Sequence, residues 1–176
     1  MHLASEYFPN SIGNYWRYKY VDSIFMKSVM VDVKIVGDTI LPGGQNAKIW
    51  TTKYPTYTDT SFVYQVGDTI KFANQGLSVR NAYIIPLKLN SQWRVNQDYM
   101  YDSMRVSEKR LYALNHHYFE NSFLLHESGH LPNERRENIE WFCPNVGMLT
   151  RTEKDAFLIA NTVSSCYWEL IDCDLK

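Results

Sequence analysis

The chain is short of several things that would direct a functional reading. It has three cysteines, Cys143, Cys166 and Cys173. That is too few for a disulfide framework and too irregular in spacing for a zinc knuckle. On one extended strand Cys166 and Cys173 stand roughly 23 Å apart, at about 3.3 Å per residue, and cannot bond to each other. Cys143 can meet Cys166 only if their strands are neighbours, so free, partly buried thiols are expected. Charge of one sign is missing too. The formal net charge is −1, which leaves no overall basic field to draw nucleic acid or an anionic membrane, and there is no acidic tail. The run Glu134-Arg135-Arg136-Glu137 carries its acids beside its bases and reads as a solvated turn. No apolar run approaches the roughly 20 residues that span a bilayer as a helix. No export signal is legible in Met1-His2-Leu3-Ala4-Ser5-Glu6, which meets an acid at once. The chain is therefore read either as cytoplasmic or as beginning after a removed signal. The fingerprints G-x-S-x-G, the P-loop and the dinucleotide glycine pattern are absent, and no cofactor is expected.

What is present is a globular composition: 176 residues, 45% hydrophobic and 21% charged, enough for one domain with a real core. Aromatics reach 15%, with thirteen tyrosines spread along the chain. Such residues suit a pleated, half-buried surface; stacking on sugars or other ligands is the alternative use. Period-two alternation dominates. Trp16, Tyr18 and Tyr20 share one face, with Arg17 and Lys19 on the other. Val29, Val31, Val33 and Ile35 alternate with Met30, Asp32 and Lys34. Val36-Gly37-Asp38 offers a turn or bulge, Pro42 to Asn46 a loop, and Lys48 to Tyr54 a returning strand with Trp50 and Thr52 on one side. Phe62 to Val66, Gly67-Asp68 and Thr69 to Phe72 read as a hairpin. The pentapeptide Val36–Ile40 recurs identically at Val66–Ile70, which could mark two similar hairpin corners but is no internal repeat. An apolar stretch from Leu77 to Leu89 is broken by Pro86. Asn96-Gln97-Asp98 reads as a turn before a short strand from Tyr99 to Arg105. Cys166, Trp168 and Leu170 lie on one face of a last strand. No linker divides the chain, so residues 1–176 form a single β-rich domain.

Residues 107–126 support two structures. Leu111, Leu114, Tyr118, Ser122 and Leu125 approximate a helical stripe that Ser107 could cap. The same segment supports two strands with Phe119, Phe123 and Leu125 on one face. The strands are favoured, because the flanks are strands and Asn115-His116-His117 and Asn121-Ser122 form helix weakly.

One stretch carries an enzyme pattern. His126-Glu127-Ser128-Gly129-His130 matches H-E-x-x-H, in which a helix brings two imidazoles onto one face to grip zinc and the Glu serves as general base. Ser128 and Gly129 are poor in a helix interior, and Pro132 disfavours helix at Leu131. A catalytic zinc also needs a third protein ligand, and Glu134, Glu137 and Glu140 lie on no obvious second helix. The competing reading is a hairpin: Phe119 to His126 going up, Ser128 to Asn133 turning, Asn138 to Phe142 coming back. His126 and Glu127 then face opposite ways. No catalytic or metal-ligating residue is assigned. His116 and His117 diverge on a strand, Cys143 lacks a catalytic context, and Tyr54-Pro55-Thr56-Tyr57-Thr58-Asp59-Thr60 is an exposed loop that could serve recognition.

Two segments together resemble a known group. Tyr7-Phe8-Pro9 followed by Ile12-Gly13-Asn14-Tyr15-Trp16-Arg17-Tyr18, and later Trp141-Phe142-Cys143-Pro144-Asn145-Val146-Gly147-Met148-Leu149, resemble uncharacterised β-rich domains of bacterial cell-envelope lipoproteins; Leu87 to Trp93 fits their middle segment. The resemblance implies an all-β fold, a single antiparallel barrel or half-barrel of lipocalin-like or lipoprotein-carrier-like form with little helix. It implies a mature domain following a removed lipoprotein signal in the cell envelope, periplasm or outer surface. Gly13 and Gly147 would supply special backbone conformations, and Trp16 and Trp141 would plug the core. No catalytic residues come with it. The expected function is a non-enzymatic envelope domain binding an apolar or aromatic ligand or a partner protein, without nucleic acid or a transmembrane span, any lipid anchor lying outside these residues. The alternatives are the zinc metallopeptidase through His126, Glu127 and His130, and a carbohydrate-binding or adhesion module.

Overall fold

The computed structural model describes residues 7–24, 26–76, 78–96, 101–160 and 162–176. Among them twelve strands follow one another: β1 (Tyr15–Asp22), β2 (Lys27–Ile40), β3 (Asn46–Lys53), β4 (Thr58–Val66), β5 (Thr69–Asn74), β6 (Val79–Ile84), β7 (Gln92–Arg94), β8 (Tyr101–Leu114), β9 (His117–Leu131), β10 (Glu134–Cys143), β11 (Gly147–Phe157) and β12 (Thr162–Asp174). Every strand pairs antiparallel with its sequence neighbour except across the β6–β7 break, and β1 joins β12 in the middle of the sheet. The result is an all-β, nearly closed barrel, as the alternation and the resemblance led us to expect. Its seam lies between β6 and β7. There the Asn81 amide donates to the Val95 carbonyl at 2.7 Å, the Asn81 side chain to the Arg94 carbonyl at 3.1 Å, and the Trp93 indole to the Asn81 carbonyl at 3.1 Å.

Alternation sets the two faces. Trp16, Tyr18, Val31, Ile35, Val63, Val106 and Leu125 are buried, while Arg17, Lys19 and Lys34 stand outside between them. This is the inverse of a barrel that crosses a membrane, whose outer band is apolar. The chain from Phe8 to Asn14 closes one end. The Asn145 amide donates to the Tyr7 carbonyl at 3.0 Å and the Gly13 amide to the Ile35 carbonyl at 2.9 Å. Gly13 and Gly147 hold φ of 92° and 101°, the left-handed region that a side chain strains. The β1–β2, β3–β4, β5–β6, β9–β10 and β11–β12 turns gather at the opposite, open end, as the strand order requires.

Several local expectations change. Residues 107–126 are strand, β8 and β9, joined by a two-residue turn at Asn115 (φ 50°) and His116 (φ 66°), the pair of positive φ angles that a type I′ hairpin turn requires. β9 continues to Leu131, so Ser128, Gly129 and His130 are ladder residues rather than a turn, and Pro132-Asn133 makes the corner. Glu134 to Glu137 likewise belongs to β10; Arg136 Nε lies 3.0 Å from Asp155 on β11. The two copies of Val-Gly-Asp-Thr-Ile differ: the first is a bulge inside β2, the second the β4–β5 turn with Gly67 at φ 60°. The expectations for Met1 to Glu6, for Leu77, and for Gln97, Asp98 and Tyr99 lie outside the described residues.

Trp141 is buried, but not inside the barrel. Glu140 and Phe142 point inward, so Trp141 faces out, where Tyr112 stacks on it at 4.5 Å and the Arg110 guanidinium lies 4.7 Å over its ring. Bulges at Val106/Glu108 and Arg110/Tyr112 bend the β8–β9 hairpin over the outer face of β10–β12, and the Asn115 side chain donates to the Leu170 carbonyl at 3.0 Å.

Candidate cavity in the barrel

Inward-facing side chains do not fill the barrel. A cavity of about 650 Å³ runs from Phe8 and Phe142 at the plugged end to Thr58, Asn74 and Gln75 at the open end. One side is aromatic. Phe8 stacks on Phe142 at 6.2 Å and on Trp50 at 5.9 Å, and Trp50 stacks on Trp16 at 5.1 Å. Nearer the mouth Tyr20 and Trp168 lie 4.7 Å apart, and Tyr54 meets both at 6.0 Å. Trp50, Trp16 and Tyr18 are pinned by their polar atoms. The Trp50 indole donates to Asn10 Oδ1 at 2.9 Å, that of Trp16 to the Val146 carbonyl at 2.6 Å, and the Tyr18 hydroxyl to the Met148 carbonyl at 3.0 Å. Buried Trp and Tyr need such partners.

The other side is ionic. Glu127 on β9 is 1% exposed. Its Oε2 accepts from Arg80 Nη2 at 3.0 Å and from the Asn138 amide at 2.9 Å, and Arg151 Nη2 lies 3.9 Å away. Arg151 also lies 2.7 Å from Glu153 and 3.6 Å from Glu140, and the Tyr83 hydroxyl donates to Glu140 at 2.6 Å. Burial works against the Glu127 carboxylate, but Arg80, Arg151 and the Asn138 amide more than offset it and hold its pKa below the usual value. At Glu140 burial wins over Arg151 and Tyr83, and its pKa is raised. The Tyr83 phenol is pushed well up by burial and by the Glu140 charge. Asp102, across the β8–β9 ladder, is raised to about 6 by burial and then by the charge of Glu127. Glu127, Glu140 and Glu153 each face an arginine, so this part of the wall is an ion-pair network and not a poised acid–base pair.

The H-E-x-x-H residues are separated by this geometry. Glu127 points into the barrel. His126 points outward, its Nε2 3.0 Å from Glu137 Oε1 in an exposed pair. His130 shares that outer face, but on a strand four residues span about 13 Å, too far for one metal ion. His116 is in the hairpin turn and His117 opens β9. Cys143 on β10 and Cys166 on β12 are separated by β11, and both are free thiols. Tyr54 and Tyr57 stack at 4.5 Å beside the mouth, Tyr57 exposed. Sequence reasoning missed Arg80, Arg151, Glu140 and Tyr83. The signal for the acids was there: Glu127 shares its strand face with Phe123 and Leu125, and Glu140 shares one with Phe142.

No protein-family model matches the chain, and no curated protein does. Solved structures share the fold. A predicted lipoprotein from Parabacteroides distasonis is similar with a TM-score of 0.52 at 12% identity, over 95% of this chain and 97% of that one. A predicted exported protein with a YmcC-like fold from Bacteroides fragilis is similar with a TM-score of 0.54 at 9% identity, over 96% and 98%.

Proposed function

We propose that the chain is a non-enzymatic domain of the bacterial cell envelope that binds a small apolar or aromatic molecule inside its barrel. The observation that carries this reading is the open, ring-lined cavity of about 650 Å³, a size and lining that suit a small ligand. The envelope location is supported by the likeness to a predicted lipoprotein and a predicted exported protein, and by the resemblance of the Gly13-to-Tyr18 and Trp141-to-Leu149 segments to envelope lipoprotein domains. Arg80 and Arg151 are engaged with Glu127, Glu140 and Glu153 within the protein, so a ligand gains most by covering the rings.

N-phenyl-1-naphthylamine, a neutral aromatic probe, tests the idea. Its fluorescence should rise and saturate at one site. Thr52→Trp, which fills the cavity from β3, should abolish the rise while the urea midpoint stays near that of the parent. Absence of a saturable rise in the parent, or an unaltered rise in the variant, would sink the cavity reading. The Tyr54–Tyr57 pair favours a second reading, a glycan stacked at the mouth. It expects Tyr57→Ala to weaken retention on a glycan array, and an unchanged profile counts against it.

A further inference from the structure

Two connections at the open end are unusually apolar for turns. Hairpin corners favour Gly, Pro, Asn, Asp and Ser. Between β1 and β2 the sequence is Ser23-Ile24-Phe25-Met26, and between β11 and β12 it is Leu158-Ile159-Ala160-Asn161, so each holds one such residue and is otherwise apolar. Met26 is 86% exposed and Ile159 79%, and Ile24, Leu158 and Val163 are exposed too. The two corners are neighbours: the Ser23 amide and hydroxyl both donate to the Ser165 carbonyl, at 2.9 and 2.7 Å. Past that point β11 and β12 remain paired through Asp155–Ser164, Ala156–Val163 and Phe157–Thr162, so this hairpin stands proud of the rim. Phe157 lies on the strand face of Asp155 and Glu153, and Glu153 lines the cavity; the apolar surface is therefore confined to the tip.

Cations stand just behind these tips. Lys27 opens β2, Lys154 is near the end of β11 and Arg135 near the start of β10, all exposed. Acids stand among them: Glu134 and Asp155 are held by Arg136 at 3.4 and 3.0 Å, Glu137, opposite Lys154, lies 3.0 Å from His126, and Asp22, opposite Lys27, accepts the Ile24 amide at 2.8 Å. Exposed apolar side chains in such a group mark a contact site. Separate points on two thin loops, backed by lysine and arginine, suit a fluid anionic interface, where side chains enter singly and basic groups meet headgroups.

We propose that the open end of the barrel docks on an anionic lipid bilayer through Ile24, Met26, Leu158 and Ile159, with Lys27, Lys154 and Arg135 at the headgroup level, so that the cavity mouth faces the lipid. A net charge of −1 does not oppose this, because screening limits attraction to charges within about 10 Å of the surface. The docking stands whether or not the cavity takes a ligand.

The purified chain is sedimented with vesicles of phosphatidylcholine alone and of phosphatidylcholine with phosphatidylglycerol. It should pellet with the anionic vesicles and less with the neutral ones. Met26→Asp/Ile159→Asp should lower the partition coefficient by about tenfold or more, and Lys27→Glu/Lys154→Glu by about tenfold on anionic vesicles alone. Tyr118→Asp, at an exposed apolar residue of β9 far from the open end, should leave it unchanged. A parent chain that stays in the supernatant with both vesicles, or a Met26→Asp/Ile159→Asp variant that pellets like the parent, overturns the proposal. So does a parent that is dimeric in solution, does not bind vesicles and becomes monomeric in that variant, which would make the rim a contact between copies. The naphthylamine titration on the same variant separates the two readings: dye uptake without vesicle binding leaves the cavity reading standing, and vesicle binding by the parent without dye uptake leaves the docking standing.

Discussion

Replacing Glu127 with alanine should cost far more than replacing the histidines that flank it in sequence. Glu127 is 1% exposed and is bonded to Arg80 and Asn138, with Arg151 close by. Removing one partner of a buried ion pair costs about 3–5 kcal/mol, because the other charge is left without compensation. Two features place Glu127→Ala at the lower end of that range: Arg80 keeps 32% of its side chain in solvent, and Arg151 keeps Glu140 and Glu153. The expected loss is about 3 kcal/mol, or about 6–12 °C in Tm for a chain of this length. The His126–Glu137 pair is exposed on both sides, so His126→Ala should change stability by no more than about 0.5 kcal/mol. Arg80→Met/Glu127→Leu, which removes both charges, should recover most of the loss. Urea unfolding followed by tryptophan fluorescence reads all four proteins, with the m-value as a check that the transition remains two-state. If Glu127→Ala lies within about 1 kcal/mol of the parent, or His126→Ala matches it, the ionic wall does not hold the barrel as argued.

Three further outcomes follow from particular residues. Asp102, raised to about 6, has an unfolded value of about 3.9. The folded chain then binds its proton more tightly, so the contribution of this group is fully present below about pH 4 and is lost as pH rises through about 6. Asp102→Asn should flatten the fall of unfolding free energy across that window in urea titrations, and a slope parallel to the parent's refutes the assignment. Gly147→Ala should lose about 1–2 kcal/mol, the cost of a Cβ in the left-handed region, since φ is 101° and the added carbon would meet Pro9 and Trp16 at 3.6 Å; an unchanged urea midpoint contradicts this. Trp141→Ala should cost about 3–5 kcal/mol and open the β8–β9 hairpin to limited proteolysis between residues 107 and 122, whereas resistance equal to the parent's would show that Trp141 does not hold the hairpin down.

The barrel was legible where one strand carries its own signal. β1 and the middle of β2 alternate cleanly because each has one wetter face and one dry face, and that pattern needs no partner to be read. What escaped depends on partners. The Asn115-His116 turn was obscured because His seldom marks a hairpin corner, while Asn at positive φ is common. The repeated Val-Gly-Asp-Thr-Ile took two shapes because β2 pairs on past Gly37 with β3, whereas the chain reverses at Gly67; a pentapeptide does not choose between these without its neighbours. The H-E-x-x-H match was misleading for a related reason. Its spacing has chemical meaning on a helix, and on β9 the same residues divide between the two faces. Arg80 and Arg151 could not be assigned to Glu127 from sequence, since β6, β9 and β11 meet at the cavity only after the sheet has curled round on itself.

The cavity persists because its walls are polar in their attachments although half of them are apolar in their surface. A barrel lined only by aliphatic side chains can shrink towards close packing, as cores do. Here Trp16, Tyr18 and Trp50 are each tied by a hydrogen bond to a fixed backbone or side-chain oxygen. Moving a ring into the empty space would break that bond and leave a buried donor unpaired, at about 1–3 kcal/mol each. The opposite wall resists in another way: drawing the aromatic side onto Arg80, Arg151 and Glu153 would bury these charged groups further under apolar surface, which costs free energy. The site is thus held open before any ligand arrives, and a ligand need not supply the free energy of opening it. A molecule that covers the rings and stops short of the arginines keeps both kinds of restraint intact. On the cavity reading proposed above, that favours a flat, uncharged body over an amine, which would have to displace Arg80 or Arg151 from ion pairs that the fold has already made.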